Sequence, residues 1–141
     1  MRKILFRGKT ESSKTWVFGY YVFRGGVKHQ IVTDSHVFPF VILPETLGQF
    51  TGLLDKNGKE IFEGDIVRKY DPDYNSDAHD KWAENGYMGD EPMKEKVDYV
   101  TLENWGTWLS KEFFGWEGEG LESPEDWEII GNIHDNPELL Q

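Results

Sequence analysis

Residues 44–67 read PETLGQFTGLLDKNGKEIFEGDIV and contain the turn and strand signals that decide the fold. β-Branched and aromatic residues gather in short runs, and turns with proline or glycine separate these runs, a pattern typical of antiparallel strands. The stretch therefore predicts a hairpin over Phe50–Phe62 and a further strand after Gly64. The predicted strands are Leu47–Leu54, Glu60–Phe62 and Asp65–Tyr70.

The turn at Asp55–Lys59 allows two registers. Asn57-Gly58 in a two-residue type I′ loop would place Lys56 opposite Lys59 and Asp55 opposite Glu60. Both pairs join like charges, which is unfavourable across a hairpin. A three-residue loop with a left-handed Gly58 instead pairs Asp55 with Lys59, so we predict the three-residue loop.

The β pattern continues on both sides of this stretch, and helix signals are scarce. Gly25-Gly26 suits a two-residue hairpin turn, because its residues need positive φ. Pro39 lies inside an apolar run and predicts a strand that is at a sheet edge or broken. We expect the last strand to close the sheet near the 50–62 hairpin. The remaining predicted strands are Lys3–Arg7, Thr15–Phe23, Val27–Thr33, Val37–Ile42, Val97–Leu102, Gly106–Leu109 and Trp127–Ile133.

Residues 71–96 interrupt the β pattern with two prolines, many turn-forming residues and no apolar periodicity. A short helix is predicted over Asp77–Glu84, with Ser76 or Asp77 as its cap and Asn85-Gly86 at its end. Eight acidic residues make this segment a long acidic loop. We expect it to be dispensable for folding and to modulate the binding of a partner.

Composition indicates one folded, cysteine-free domain of 141 residues with 15% aromatic residues. Apolar runs are too short for a membrane helix, the N-terminus lacks a secretory apolar region, and the absence of cysteine fits a reducing cytoplasm. Residues 1–43 carry a net +5 and the rest −16, within a total of −11. The acidic part of the chain, residues 44–141, should repel nucleic-acid phosphates, and this argues against direct nucleic-acid binding.

Several short motifs, taken in order, resemble the YopX-type proteins of bacteriophages and prophages. The motifs stand at the start, the centre and the end of the chain and frame most of its length. They are Phe6-Arg7-Gly8-Lys9, Trp16-Val17-Phe18-Gly19, Pro44-Glu45-Thr46, Gly48 to Leu53, Asp55 to Lys59, Glu63 to Val67, Glu128 to Ile133 and Asn136 to Leu139.

This resemblance implies a mainly β fold with little helix, in a single domain over residues 1–141. It implies an SH3-like barrel in the C-terminal two-thirds, residues 44–141, after an N-terminal β-hairpin region, residues 1–43. It also implies a phage or prophage origin and a bacterial host cytoplasm, and it brings no assigned activity, cofactor or catalytic residue.

Metal and catalytic signals in the sequence are weak. One run mimics half of a calcium loop, but Ser76 replaces the required glycine and Trp82 replaces the bidentate glutamate. Glu63 and Asp65 flank a turn glycine, where an acidic residue more often bonds its own backbone. We therefore predict no catalytic residue, metal or cofactor. The calcium-like run is Asp71, Asp73, Asn75, Asp77 and His79, and the dispersed histidines are His29, His36, His79 and His134.

Aromatic residues provide the best candidates for a binding surface, because Trp and Tyr dominate interface hot spots. A crowded group follows residue 104, and one further tryptophan lies in the acidic loop. The predicted binding residues are Trp82, Trp105, Trp108, Phe113 and Trp116.

Three functions from different classes follow. The first is a phage- or prophage-encoded, non-enzymatic accessory module that binds a protein partner. The second is an acidic mimic of nucleic acid that occupies a host DNA-binding protein, motivated by the −16 body. The third is a small hydrolase or metal enzyme. The aromatic content and the predicted edge strand near Pro39 also favour self-association.

Overall fold

Antiparallel strands dominate the structure, a computed structural model that describes residues 4–26, 28–102, 108–110 and 124–141. One α-helix and three 3₁₀ turns complete the described part. The strands are β1 (Phe6–Lys9), β2 (Trp16–Arg24), β3 (Lys28–Val32), β4 (Phe40–Val41), β5 (Gly48–Leu54), β6 (Glu60–Phe62), β7 (Asp65–Pro72), β8 (Met93–Leu102), β9 (Trp108–Ser110) and β10 (Glu128–Asn132), the helix is α1 (Asp77–Glu84), and the 3₁₀ turns are Pro44–Thr46, Pro124–Asp126 and Pro137–Leu140.

The strands form two antiparallel sheets. The first has six strands in the order β4-β3-β2-β1-β5-β6, and the second has four in the order β10-β7-β8-β9. The prediction of a mainly β fold with little helix is confirmed. Within the described residues neither strand order closes on itself, so the structure shows two open sheets and no closed barrel.

The first sheet curls so that its edge returns to β1. An isolated bridge joins Thr10, after β1, to Ile42, after β4, and the Leu43 N–H donates to the Lys9 carbonyl at 2.9 Å. The curl buries Ile31 and Ile42. β4 is an edge strand of only two residues directly after Pro39, which confirms the prediction made from that proline.

The predictions for the two hairpin turns had different outcomes. At Asp55–Lys59, Leu54 lies opposite Glu60, the Asp55 N–H donates to the Lys59 carbonyl at 2.8 Å, and Gly58 has φ +80°. The predicted three-residue loop is therefore confirmed.

At the β2–β3 turn the prediction was wrong in length. Gly25 and Gly26 have φ +65° and +68°, as a glycine turn requires. The strands, however, pair Arg24 with Lys28, which leaves three residues in the loop instead of two. The pairing of Phe23 with His29 stacks their rings at 4.5 Å and supports this register.

A compact apolar core lies where the two sheets meet. Its buried members are Ile61, Val67, Val100 and Trp127, and all four come from strands or from the residue before β10. The Lys56 N–H donates to the Trp127 carbonyl at 2.8 Å, which places β10 beside the β5–β6 hairpin. The last strand thus lies near that hairpin as expected, but within the described residues it pairs with β7 at the edge of the second sheet and does not close the sheet.

Candidate functional site

The acidic loop forms a small unit at the far end of a long hairpin. β7 and β8 pair continuously from Ile66–Tyr99 to Pro72–Met93. The Asp73 N–H then donates to the Pro92 carbonyl at 2.9 Å. The interruption therefore covers residues 73–92, called the head below, and the predicted bounds of 71–96 were wrong because residues 71–72 and 93–96 belong to the strands.

Ion pairs hold the distal strands together below the head. Asp71 lies 2.7 Å from the Lys96 ammonium and 3.2 Å from that of Lys69. Partial burial alone would raise the pKa of Asp71, but the hydrogen bonds from Lys96 and Lys69 outweigh it and lower the pKa. The first residue of the calcium-like run is thus engaged in the hairpin.

Local contacts order the backbone of the head. Ser76 caps α1, since its hydroxyl accepts the His79 N–H at 3.0 Å, and the helix ends at Asn85, as predicted. The Tyr87 N–H donates to the Trp82 carbonyl, and the Trp82 indole N–H donates to the Gly89 carbonyl at 3.1 Å. Positive φ angles at Gly86, Tyr87 and Gly89 let the chain fold back onto the helix.

Four rings of the head form a continuous aromatic row. The ring centroids of Tyr74 and His79 are 5.0 Å apart, those of His79 and Trp82 5.3 Å, and those of Trp82 and Tyr87 5.0 Å. His79 also places its Nε2 at 3.2 Å from Oε1 of Glu91. The centre of the row is half-buried, whereas Tyr74 and Tyr87 at its ends are 67% and 66% exposed.

The head is strongly acidic. The head contains six carboxylates and a single lysine, Lys81. Glu91 contacts His79, and none of the other five carboxylates forms an ion pair with a residue that the structure describes. The carboxylates belong to Asp73, Asp77, Asp80, Glu84, Asp90 and Glu91.

The acids of α1 lie on the helix face opposite the aromatic row. At 3.6 residues per turn, Asp77, Asp80 and Glu84 share one side, and His79 and Trp82 share the other. Burial agrees, because the three acids are exposed and the two rings are half-buried. The head therefore has an aromatic side and an acidic helix side.

A second cluster, at the base of the molecule, consists of motif residues. The Arg7 guanidinium lies 2.8 Å from Asp65, over the rings of Trp16 and Phe62 at 4.7 and 4.9 Å. Asp65 also accepts the Phe62 N–H at 2.7 Å. Burial raises the pKa of Asp65 while Arg7 opposes that rise. Asp65 thus serves the fold, which supports the interpretation of Glu63 and Asp65 as turn residues.

The C-terminal segment joins this cluster through Asp135. Its carboxylate bonds the Lys9 ammonium, the Trp16 indole N–H at 2.7 Å and the Asn132 side chain at 3.1 Å. The bonds from Lys9 and Trp16 hold the pKa of Asp135 well below its usual range. Burial lowers the pKa of the neighbouring His134. Arg7 and Lys9 are both neutralised by carboxylates, so this cluster stabilises the fold and offers no unpaired charge to a ligand.

Of the predicted aromatic site residues, the structure describes Trp82 and the backbone of Trp108. Trp82 lies in the head, and Trp108 begins β9, where it pairs with Leu102. Trp105, Phe113 and Trp116 lie outside the described residues. The predicted binding residues did not include Tyr74 and Tyr87, which form the exposed ends of the row.

The histidines outside the head lie in different surroundings. The Tyr21 hydroxyl and His29 Nδ1 are 2.5 Å apart, and His36 contacts the hydroxyls of Thr33 and Ser35. In the described part of the chain, no group of three or more His, Asp or Glu side chains is arranged to hold a metal ion. No described helix is long and apolar enough to cross a membrane.

The YopX protein family model matches residues 5–141, almost the whole sequence. The chain belongs to the YopX family. Among solved structures it is similar to the crystal structure of protein EF1440 from Enterococcus faecalis, with 23% identity, a TM-score of 0.57 and full coverage of both chains. That likeness supports the fold. A comparison with curated proteins finds no match.

Proposed function

We propose that this YopX-family chain is a phage- or prophage-encoded, non-enzymatic accessory module that binds a protein partner through its head. The head carries this proposal, because its rings pack on one another and leave a row with exposed ends, 66–67% at Tyr74 and Tyr87. Met88 beside the row is 77% exposed. Tyrosine, tryptophan and methionine are enriched at interfaces, where a polar rim surrounds an aromatic centre.

A long, continuously paired hairpin is a suitable support for such a surface. Seven consecutive residue pairs of β7 and β8 position the head, and the Asp71 ion pairs strengthen the end of that stem. A rigid support lowers the entropy lost when a binding surface is ordered on a partner. We place the site of action in the host cytoplasm, for which the absence of cysteine is the support.

We further propose that β5–β10 form an open SH3-like barrel. Hydrogen bonds join both ends of β10 to the chain around the β5–β6 hairpin. Near its start, the Ile129 N–H donates to the Asp55 carboxylate at 3.0 Å, and after its end the Ile133 N–H donates to the Gly64 carbonyl at 2.9 Å. The Gly64 N–H donates in turn to the Val100 carbonyl. These links enclose the core around Trp127.

The acidic helix side of the head supports a second candidate, the nucleic-acid mimic. Asp77, Asp80 and Glu84 form a stripe on one exposed face of α1. A mimic would compete with DNA for a host DNA-binding protein through this stripe. The hydrolase or metal enzyme has weaker support, since Asp65 and Asp71 are each paired with cations.

Replacing Tyr74–Gly89 by a short Gly/Ser linker tests the proposal. Because the head packs mainly on itself, we expect the free energy of unfolding to change by less than about 1 kcal/mol, as for other surface changes. Affinity capture from host lysate, followed by mass spectrometry, should recover a partner with the intact chain and not with the linker variant. Equal recovery by both chains, or a stability loss of several kcal/mol, would contradict the proposal.

A second capture experiment separates the nucleic-acid mimic from the accessory module. Release of the partner by added duplex DNA, together with loss of partner binding in D77N/D80N/E84Q, would favour the mimic.

A further inference from the structure

We infer that the aromatic row of the head binds a basic, arginine- or lysine-containing segment of its protein partner. This inference rests on the proposed function and names the class of ligand for the same surface. It starts from the exposed side chains of Tyr74 and Tyr87, and the negative charge of the head selects the occupant.

No described cation of this chain occupies the rings of the head. Elsewhere in the described chain, arginines cover aromatic rings: Arg7 lies over Trp16 at 4.7 Å, and Arg68 lies over Tyr70 at 5.9 Å. No lysine or arginine of the described residues lies over a ring of the row. A guanidinium or ammonium group from a partner would meet the negative face of an exposed tyrosine.

One acidic residue contacts the same row, and two others lie next to residues of the head in sequence. Glu91 contacts His79 within the row, Asp73 precedes Tyr74, and Asp90 follows Gly89, whose carbonyl accepts the Trp82 indole N–H. With one lysine against six carboxylates, the head carries a net −5. An acidic segment would be repelled there, whereas a basic segment gains attraction from these carboxylates in addition to contact with the rings.

The two sides of the head provide a charge-matched pair of variants. D73N/D90N/E91Q removes the charge that contacts the row and two charges outside α1, and D77N/D80N/E84Q removes three from the face of α1 opposite the row. Both variants change the net charge of the protein equally, so a difference between them reports position and not the overall field. Y74A/Y87A removes the exposed rings and leaves every charge in place.

The experiment titrates the full chain with three short labelled peptides of matched leucine and glycine content. One contains arginine, one contains citrulline as its neutral analogue, and one contains glutamate, and fluorescence anisotropy reports binding. We expect the arginine peptide to bind at least about tenfold more tightly than the other two, and to bind more weakly as salt is raised. Y74A/Y87A and D73N/D90N/E91Q should each weaken it by about tenfold or more, and D77N/D80N/E84Q by less than about threefold.

Equal binding of the citrulline peptide, or equal losses in the two triple variants, would overturn the inference. Failure of all three peptides to bind would also overturn it. Head-dependent capture of a lysate partner whose contacting segment is neutral or acidic would overturn the inference and leave the proposed function standing. Capture that does not depend on the head would overturn both.

Discussion

Arg7 and Asp65 form a buried ion pair with 2.8 Å between Nη2 and Oδ1. Arg7 belongs to β1 of the first sheet and Asp65 to β7 of the second, so the pair joins the two sheets. The same guanidinium lies near the Glu63 carbonyl at 3.4 Å and between the rings of Trp16 and Phe62. Two separate family motifs, one near the start and one in the centre of the chain, meet at this contact.

Breaking this pair should strongly destabilise the protein. R7M and D65L each leave a buried charge without a partner, and we expect each to reduce the free energy of unfolding by about 3–5 kcal/mol. The double variant R7M/D65L removes both charges and should lose less than the sum of the two. Urea unfolding of the four proteins measures the coupling, and strictly additive losses would contradict it.

Asp55 should be a second determinant of stability. Its carboxylate accepts the backbone N–H groups of Asn57, Lys59 and Ile129, the last of which belongs to β10. D55A leaves these donors without their acceptor, so we expect a loss of at least about 2 kcal/mol, since an unsatisfied buried donor costs about 1–3 kcal/mol. The neighbouring K56A variant, which alters an exposed side chain, serves as the control in thermal unfolding. A loss no larger than that of K56A would exclude this role.

Stability should fall in acid partly through Asp135. The Lys9 and Trp16 hydrogen bonds hold its pKa in the folded protein below the unfolded value of about 3.9. The folded state therefore binds fewer protons, and the stabilisation is complete above that value and decreases as pH falls towards the folded pKa. Denaturant unfolding between pH 7 and 3 should show a steeper acid loss for the wild type than for D135N. Parallel curves would contradict the prediction.

Self-association should depend on the loop before β4. Val37 and Phe38 are 93% and 81% exposed, and neighbouring exposed apolar residues favour contact with a second copy. We expect reversible dimers at micromolar concentration, strengthened by salt because the net charge of −11 opposes contact. Sedimentation velocity should show V37S/F38S as more monomeric than the wild type, with Y74S as a control for another exposed aromatic residue. A wild type that stays monomeric at all salt concentrations would refute this.

Turn chemistry made much of the fold predictable from sequence. The charge pattern at Asp55–Lys59 decided the loop length, and Ser76 with Asn85-Gly86 gave the bounds of α1. The distal parts of β7 and β8 were missed, because they lack apolar alternation and are supported by ion pairs between Asp71 and two lysines. Ion pairs of this kind can be predicted only when the register of the two strands is known.

The aromatic row and the Arg7–Asp65 contact were harder to predict. Tyr74 precedes α1 and Tyr87 follows it, and their spacing in the sequence gives no sign of a shared row. The left-handed backbone at residues 86, 87 and 89 returns the chain towards the helix, so that Tyr87 contacts Trp82. Arg7 and Asp65 belong to separate motifs, and their contact depends on the way the first sheet meets the second. No local propensity encodes either relationship.

The contacts of Asp135 also bear on when the protein can fold during its synthesis. Lys9 and Trp16 lie 126 and 119 residues before their shared carboxylate partner. A nascent chain on the ribosome therefore carries Trp16 while another 119 residues are added before this partner is made. Contacts at such separations slow folding, so the joining of the two sheets at this contact should be a late step of folding.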